Sequence, residues 1–149
     1  MFRKLGAFGL PAAVIALVAS ATTALASAFS FYIYSPAVIA SPTQVYVGIR
    51  VICDSTTSQA SLNLKLVQAS GTGVGSSPPI TCDGTAHYYA VPVTATSGSF
   101  QPGPATAYDA GSYRTCQPST PSSPPKCVGN VWPYVKYGTI QLVASPHDG

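Results

Sequence analysis

The side chains able to do proton or nucleophile chemistry in this chain are few and widely spaced. His87 and His147 are the histidines, and with no glutamate present the acids are Asp54, Asp83, Asp109 and Asp148. A serine–histidine–aspartate relay would need His87 or His147 oriented by Asp83 or Asp109, with a serine held on a sharp turn. Gly75-Ser76-Ser77 comes nearest to such a turn but lacks the G-x-S-x-G elbow. Glycoside hydrolysis needs two carboxyl groups facing across a sugar bond. Asp54 and Asp83 each directly follow a cysteine, so a Cys53–Cys82 bond would bring them into one neighbourhood. Both also stand in turn contexts, where aspartate serves the backbone. Calcium is disfavoured by the lack of D-x-D spacing and of glutamate, and zinc by the lack of C-x-x-C or a close Cys–His pair. The inventory points away from an enzyme: no residue is assigned a catalytic, cofactor-binding or metal-binding role.

The cysteines and aromatics carry more. Cys53, Cys82, Cys116 and Cys127 allow three connectivities. Cys53 and Cys82 each end a strand-like run, while Cys116 and Cys127 flank a Pro-rich loop. Pairing 53–82 and 116–127 staples one long connection and one short loop without threading the chain. On the chain-entropy model each bond contributes about 3 kcal/mol, somewhat more for the longer loop. Tyrosine is abundant, with nine in the chain. Tyr108, Tyr113, Trp132, Tyr134 and Tyr137 gather around the second cysteine pair and form the candidate binding surface. Tyr32, Tyr34, Tyr46 and Tyr88 are expected to face outward from their strands. Such rings give large, rigid, amphipathic contact area suited to carbohydrate or protein. The competing reading makes Trp132 and several tyrosines a second layer of the core.

Strands must position these residues. Gln44 to Cys53 alternates, with Val45, Val47, Ile49, Val51 and Cys53 on one face, which marks a half-buried strand. Ser61 to Gln68 alternates again and turns Leu62, Leu64 and Leu66 inward. Ala69 to Pro79, rich in glycine and proline, reads as a loop. Ile80-Thr81-Cys82 reads as a short strand feeding the Asp83-Gly84 turn. His87 to Thr96 resumes the alternation, with Pro92 placing it near an edge. Further strands are expected over Phe29 to Tyr34, from Ala105 towards Cys116, and over Val131 to Ser145 with Ile140 and Leu142 inward. Gln117 to Pro125 is a surface loop. About seven strands at this spacing predict an all-β fold, a single Ig-like antiparallel β-sandwich, with a small Greek-key barrel as the alternative.

Residues 1–28 have the pattern of a secretory signal peptide: Arg3 and Lys4, an apolar run from Leu5 to Leu25, then small residues that allow cleavage after Ala26 or Ala28. The remaining domain spans 29–149. Export would carry the thiols into an oxidising compartment where disulfides persist. The expected location is secreted, extracellular or cell-surface associated, with no membrane association after cleavage. Without Arg3 and Lys4, five basic residues (Arg50, Lys65, Arg114, Lys126, Lys136) face four acids. These are too few and too scattered for nucleic acid, which needs clustered Lys and Arg. Charged residues make up 7% of the chain, against about a quarter in a typical soluble domain. Such a surface hydrogen-bonds without long-range repulsion.

The run Cys53…Leu64-x-Leu66-x-Gln68…Cys82-Asp83-Gly84-Thr85…Val91-x-Val93…Phe100-x-x-Gly103-Pro104-Ala105-x-Ala107…Cys116 resembles a group of small secreted bacterial proteins, chiefly actinobacterial. The resemblance spans roughly Val45 to Leu142. It implies an Ig-like sandwich and an extracellular compartment, and it implies no activity. Residues and resemblance together lead to one expectation, a non-enzymatic domain that binds a cell-envelope glycan or protein. A structural subunit of a surface layer or fibre is the alternative.

Overall fold

The computed structural model describes residues 29–146. The signal peptide expected over 1–28, and His147 and Asp148, lie outside the described residues. Eight strands follow one another: β1 (Phe29–Ile33), β2 (Ala37–Ser41), β3 (Gln44–Cys53), β4 (Thr57–Gln68), β5 (Gly71–Ser76), β6 (Ala86–Gly98), β7 (Gly103–Gln117) and β8 (Lys126–Ala144).

The alternation is clearest in β3, and β3 organises the fold. Its Val45, Val47, Ile49, Val51 and Cys53 are all buried. One side of β3 pairs with β6 from Gln44↔Thr94 to Ile52↔Ala86. The other side is shared: β1 takes Ile49 to Cys53, and β2 takes Gln44 to Tyr46. Between β1 and β2 the chain passes through the cis Ser35–Pro36 bond. Pro92, which cannot donate to a ladder, sits where the β5–β6 ladder has ended at Val74↔Thr94. β4 buries Leu62, Leu64 and Leu66 as its alternation predicts, and it begins earlier than expected, at Thr57. β7 and β8 form a long antiparallel hairpin from Gly103↔Leu142 to Gln117↔Lys126, with the Pro-rich loop at its tip.

The expected Ig-like β-sandwich is not what these strands build. All eight belong to one sheet, in the order β1-β3-β2-β8-β7-β4-β5-β6, and a further β3–β6 pairing closes it. Seven strands therefore form a closed barrel, and β1 lies outside the ring as an extra strand on β3. A sandwich would leave β2-β3-β6 and β4-β7-β8 as separate facing sheets. Two connections join them here. One is a short parallel ladder between β2 and β8, Ala37↔Leu142 to Ile39↔Ala144. The other is β5, which pairs with both β4 and β6.

β5 lies inside the segment that its composition marks as a loop. Its glycines answer to space rather than to flexibility. A Cβ on Gly75 would stand 2.1 Å from the Pro92 carbonyl oxygen, and one on Gly73 would meet the Thr94 carbonyl at 2.6 Å and the Phe100 ring at 2.7 Å. Close backbone approach at a barrel corner admits only glycine. Phe100 is itself buried. Ile80–Cys82, expected as a strand, is irregular: Cys82 is bonded to Cys53, and the Tyr89 hydroxyl accepts the Thr81 N–H at 2.8 Å.

The barrel interior is filled by the inward valines and leucines of β3, β4 and β6, with Ile140 and Leu142 of β8. Each such side chain contributes about 1.5–3 kcal/mol on leaving water. The structure joins Cys53 to Cys82, with Cα atoms 4.7 Å apart, and Cys116 to Cys127 at 4.0 Å. Among the described residues no helix is long and apolar enough to cross a membrane.

Candidate binding face

The residues with possible acid–base roles are brought together only in part. Asp83 and His87 meet at the start of β6, with His87 Nε2 3.0 Å from both carboxylate oxygens. The Thr85 backbone N–H and hydroxyl both donate to Asp83 Oδ1, at 3.0 and 2.7 Å. The Thr85 hydroxyl also lies 3.3 Å from His87 Nε2. The same ring nitrogen therefore faces both the carboxylate and the hydroxyl. A relay needs the acid on one nitrogen and the nucleophile on the other, so this arrangement cannot transfer a proton from Thr85 through the ring. It is an Asx turn with a histidine lid. The Thr85 hydroxyl, its backbone N–H and then His87 lower the Asp83 pKa to about 2.

Asp54 behaves likewise. Its Oδ1 accepts from the Thr56 N–H at 3.0 Å, from the Thr56 hydroxyl at short range and from the Thr57 hydroxyl at 3.4 Å. The Thr56 hydroxyl leads in holding its carboxyl below the usual range. Asp109 stands apart from both, buried in β7, where its Oδ1 accepts the Trp132 indole N–H at 2.8 Å. Among the described residues no group of three or more His, Cys, Asp and Glu side chains converges.

The five aromatics around the second disulfide fall into two sets. Tyr113, Trp132 and Tyr137 turn towards β1 and pack against the core. Phe29 stacks on Tyr113 at 4.9 Å, Phe31 lies parallel to Trp132 at 6.4 Å, and the Tyr137 hydroxyl accepts the Ile33 N–H at 3.0 Å. These rings fill the space between β1 and β8, where no ladder forms. Tyr108 and Tyr134 instead lie outside the barrel and hold the Lys65 ammonium, 5.0 and 5.1 Å from their centroids. That cation is already engaged, at about 0.5–1 kcal/mol for an exposed contact.

A second aromatic group forms on the outer face of β1, β3 and β6. Tyr32, Arg50 and Tyr88 occupy one row across the three strands. Tyr34 follows β1, its N–H bonded to the Gly48 carbonyl at 2.9 Å, and its ring rests over Gly48. The rings run on from one another: Tyr32 to Tyr34 at 5.0 Å, edge to face, and Tyr34 to Tyr88 at 6.3 Å, nearly parallel. Tyr32 is 53% exposed and Tyr88 66%, and Tyr46 stands open on the same face of β3. Desolvation by this crowding, then the neighbouring Tyr88 phenol, raises the Tyr34 pKa, while Arg50 works against them. Among the described residues Arg50 has no acidic partner.

The outward direction of these tyrosines is readable from alternation, but their grouping is not. The strand pairing alone brings Tyr32, Arg50 and Tyr88 into one row from positions up to 56 apart in sequence. No protein-family model, no curated protein and no solved structure matches this chain.

Proposed function

We propose that the protein is a non-enzymatic binding domain of the cell surface, and that it takes an envelope polymer on the Tyr32–Tyr34–Tyr88 face. The observation that supports this is the continuous row of exposed rings across β1, β3 and β6. Rings held in place by a barrel wall present apolar faces with little entropy left to lose, and the flat hydrophobic face of a sugar covers them well. The export pattern of residues 1–28 agrees with this compartment.

The test is co-sedimentation of the purified protein with a protease-stripped envelope polysaccharide fraction. Tyr88→Ala and Tyr32→Ala should each weaken retention about tenfold, the scale of losing one stacked ring. Tyr134→Ala, on the other side of the barrel, should leave it unchanged. Equal retention of all three variants rejects the reading.

The alternative, a subunit of a surface layer or fibre, has its own observation behind it. From Lys126 to Val131, β8 pairs with β7 alone, and Val128 and Val131 are exposed. An open strand edge carrying valines invites lateral pairing. A strictly monomeric sedimentation profile at high concentration excludes this alternative.

A further inference from the structure

We infer that the polymer taken by the tyrosine face is an acidic polysaccharide, a chain of hexose rings bearing carboxylates, with Arg50 as its anion contact. This rests on the binding reading above. The added observation is the charge at the centre of the face. Arg50 lies between Tyr32 and Tyr88 in the strand register, is partly exposed, and has no acidic partner among the described residues. Asp54 and Asp83 are engaged by Thr56, Thr57, Thr85 and His87, and Asp109 by Trp132. Among the described residues the face therefore offers a cation that is held in no ion pair.

Adjacent strands are about 4.8 Å apart, so Tyr32 and Tyr88 lie about 10 Å apart along the row, with Arg50 midway. A linear glycan crossing the strands would set successive rings over Tyr32, Arg50 and Tyr88. A carboxylate on the middle ring is planar and matches the guanidinium fork with two parallel hydrogen bonds. A phosphate-linked polyol chain supplies the charge but no unbroken series of ring faces. Gly48 lies under the Tyr34 ring, and beside it Ala90, its partner across β3 and β6, is small and exposed and keeps the floor low.

The experiment uses the full chain and the same protease-stripped fraction, before and after chemical reduction of its carboxyl groups to alcohols. Affinity should fall about tenfold on carboxyl reduction, and about as much for Arg50→Gln against the untreated fraction. Arg50→Lys should recover part of that loss. Unchanged thermal unfolding of the Arg50 variants shows that they fold. If Tyr88→Ala weakens binding but carboxyl reduction does not, the inference fails and the binding reading stands. If Tyr88→Ala has no effect, both fail. Binding that only unstripped envelope supports assigns a protein partner and overturns the inference.

Discussion

Asp109 and Trp132 form a polar contact at the edge of the core. Asp109 is 5% exposed and its Oδ1 accepts the indole N–H at 2.8 Å. Trp132→Phe keeps most of the ring packing against Phe31 but leaves a buried acceptor without its donor. A hydrogen bond to a charged group contributes about 1.5–3 kcal/mol. We expect Trp132→Phe to lower the unfolding free energy by about 2 kcal/mol in urea titration, and Asp109→Asn, which keeps an acceptor oxygen, to lower it less. Losses of equal size would show that an acceptor oxygen alone does not carry the contribution. Asp83 supplies a pH prediction. Its carboxyl is lowered from 3.8 to about 2 in the folded protein, by Thr85 first and His87 after it. A depressed acid contributes stability in full above its unfolded value, and that contribution is lost as pH falls through the folded one. The window is therefore between about pH 4 and pH 2, and Asp54, lowered for the same kind of reason, acts in the same sense. Carboxyl NMR titration should show Thr85→Val moving the Asp83 pKa upward further than His87→Ala does.

At the scale of elements, strands announced by alternation are where the alternation puts them: β3, the Leu62–Leu66 part of β4, and the end of β8. β5 is the exception. Gly71-Thr72-Gly73-Val74-Gly75 has no large inward side chain, so neither periodicity nor hydrophobicity marks it, and its glycines read as turn residues. Its pairing is dictated by β4 and β6 on either side, a tertiary cause. Gly75→Ala should cost about 3 kcal/mol, because its Cβ meets backbone that has to move. Gly129→Ala, whose Cβ meets nothing, should be neutral within about 0.5 kcal/mol. The disulfides also differ by element. Cys53 is buried at the end of β3, whereas Cys127 is exposed on the hairpin arm. Graded reduction followed by alkylation and mass analysis should open Cys116–Cys127 first. Opening of Cys53–Cys82 first would show that local unfolding around Ile80–Cys82 governs access.

For the whole molecule, closure rests on unequal seams. β3 is paired on both sides along almost its whole length, while β2 and β8 share only three residue pairs. Hydrogen exchange should therefore find the β3 amides protected to the level of global unfolding, and those of 126–131 exchanging much sooner. Equal protection in the two would mean that the β8 edge is covered in solution.

Composition, alternation and cysteine positions determined by themselves an all-β chain, the inward set of Val45 to Cys53 and Leu62 to Leu66, and the scarcity of groups able to do acid–base chemistry. Those properties are local, because side-chain direction follows the two-residue period of a strand wherever it lies. Sandwich or barrel was decided by tertiary structure alone: it turns on whether β5 and the β2–β8 ladder join two sheets, and backbone pairing leaves little trace in side-chain type. The same holds for the rings. Trp132 and Tyr134, two residues apart, part to opposite faces because the β7–β8 register shifts between Asp109 and Gly111, while Tyr32, Arg50 and Tyr88 meet only because three strands lie side by side.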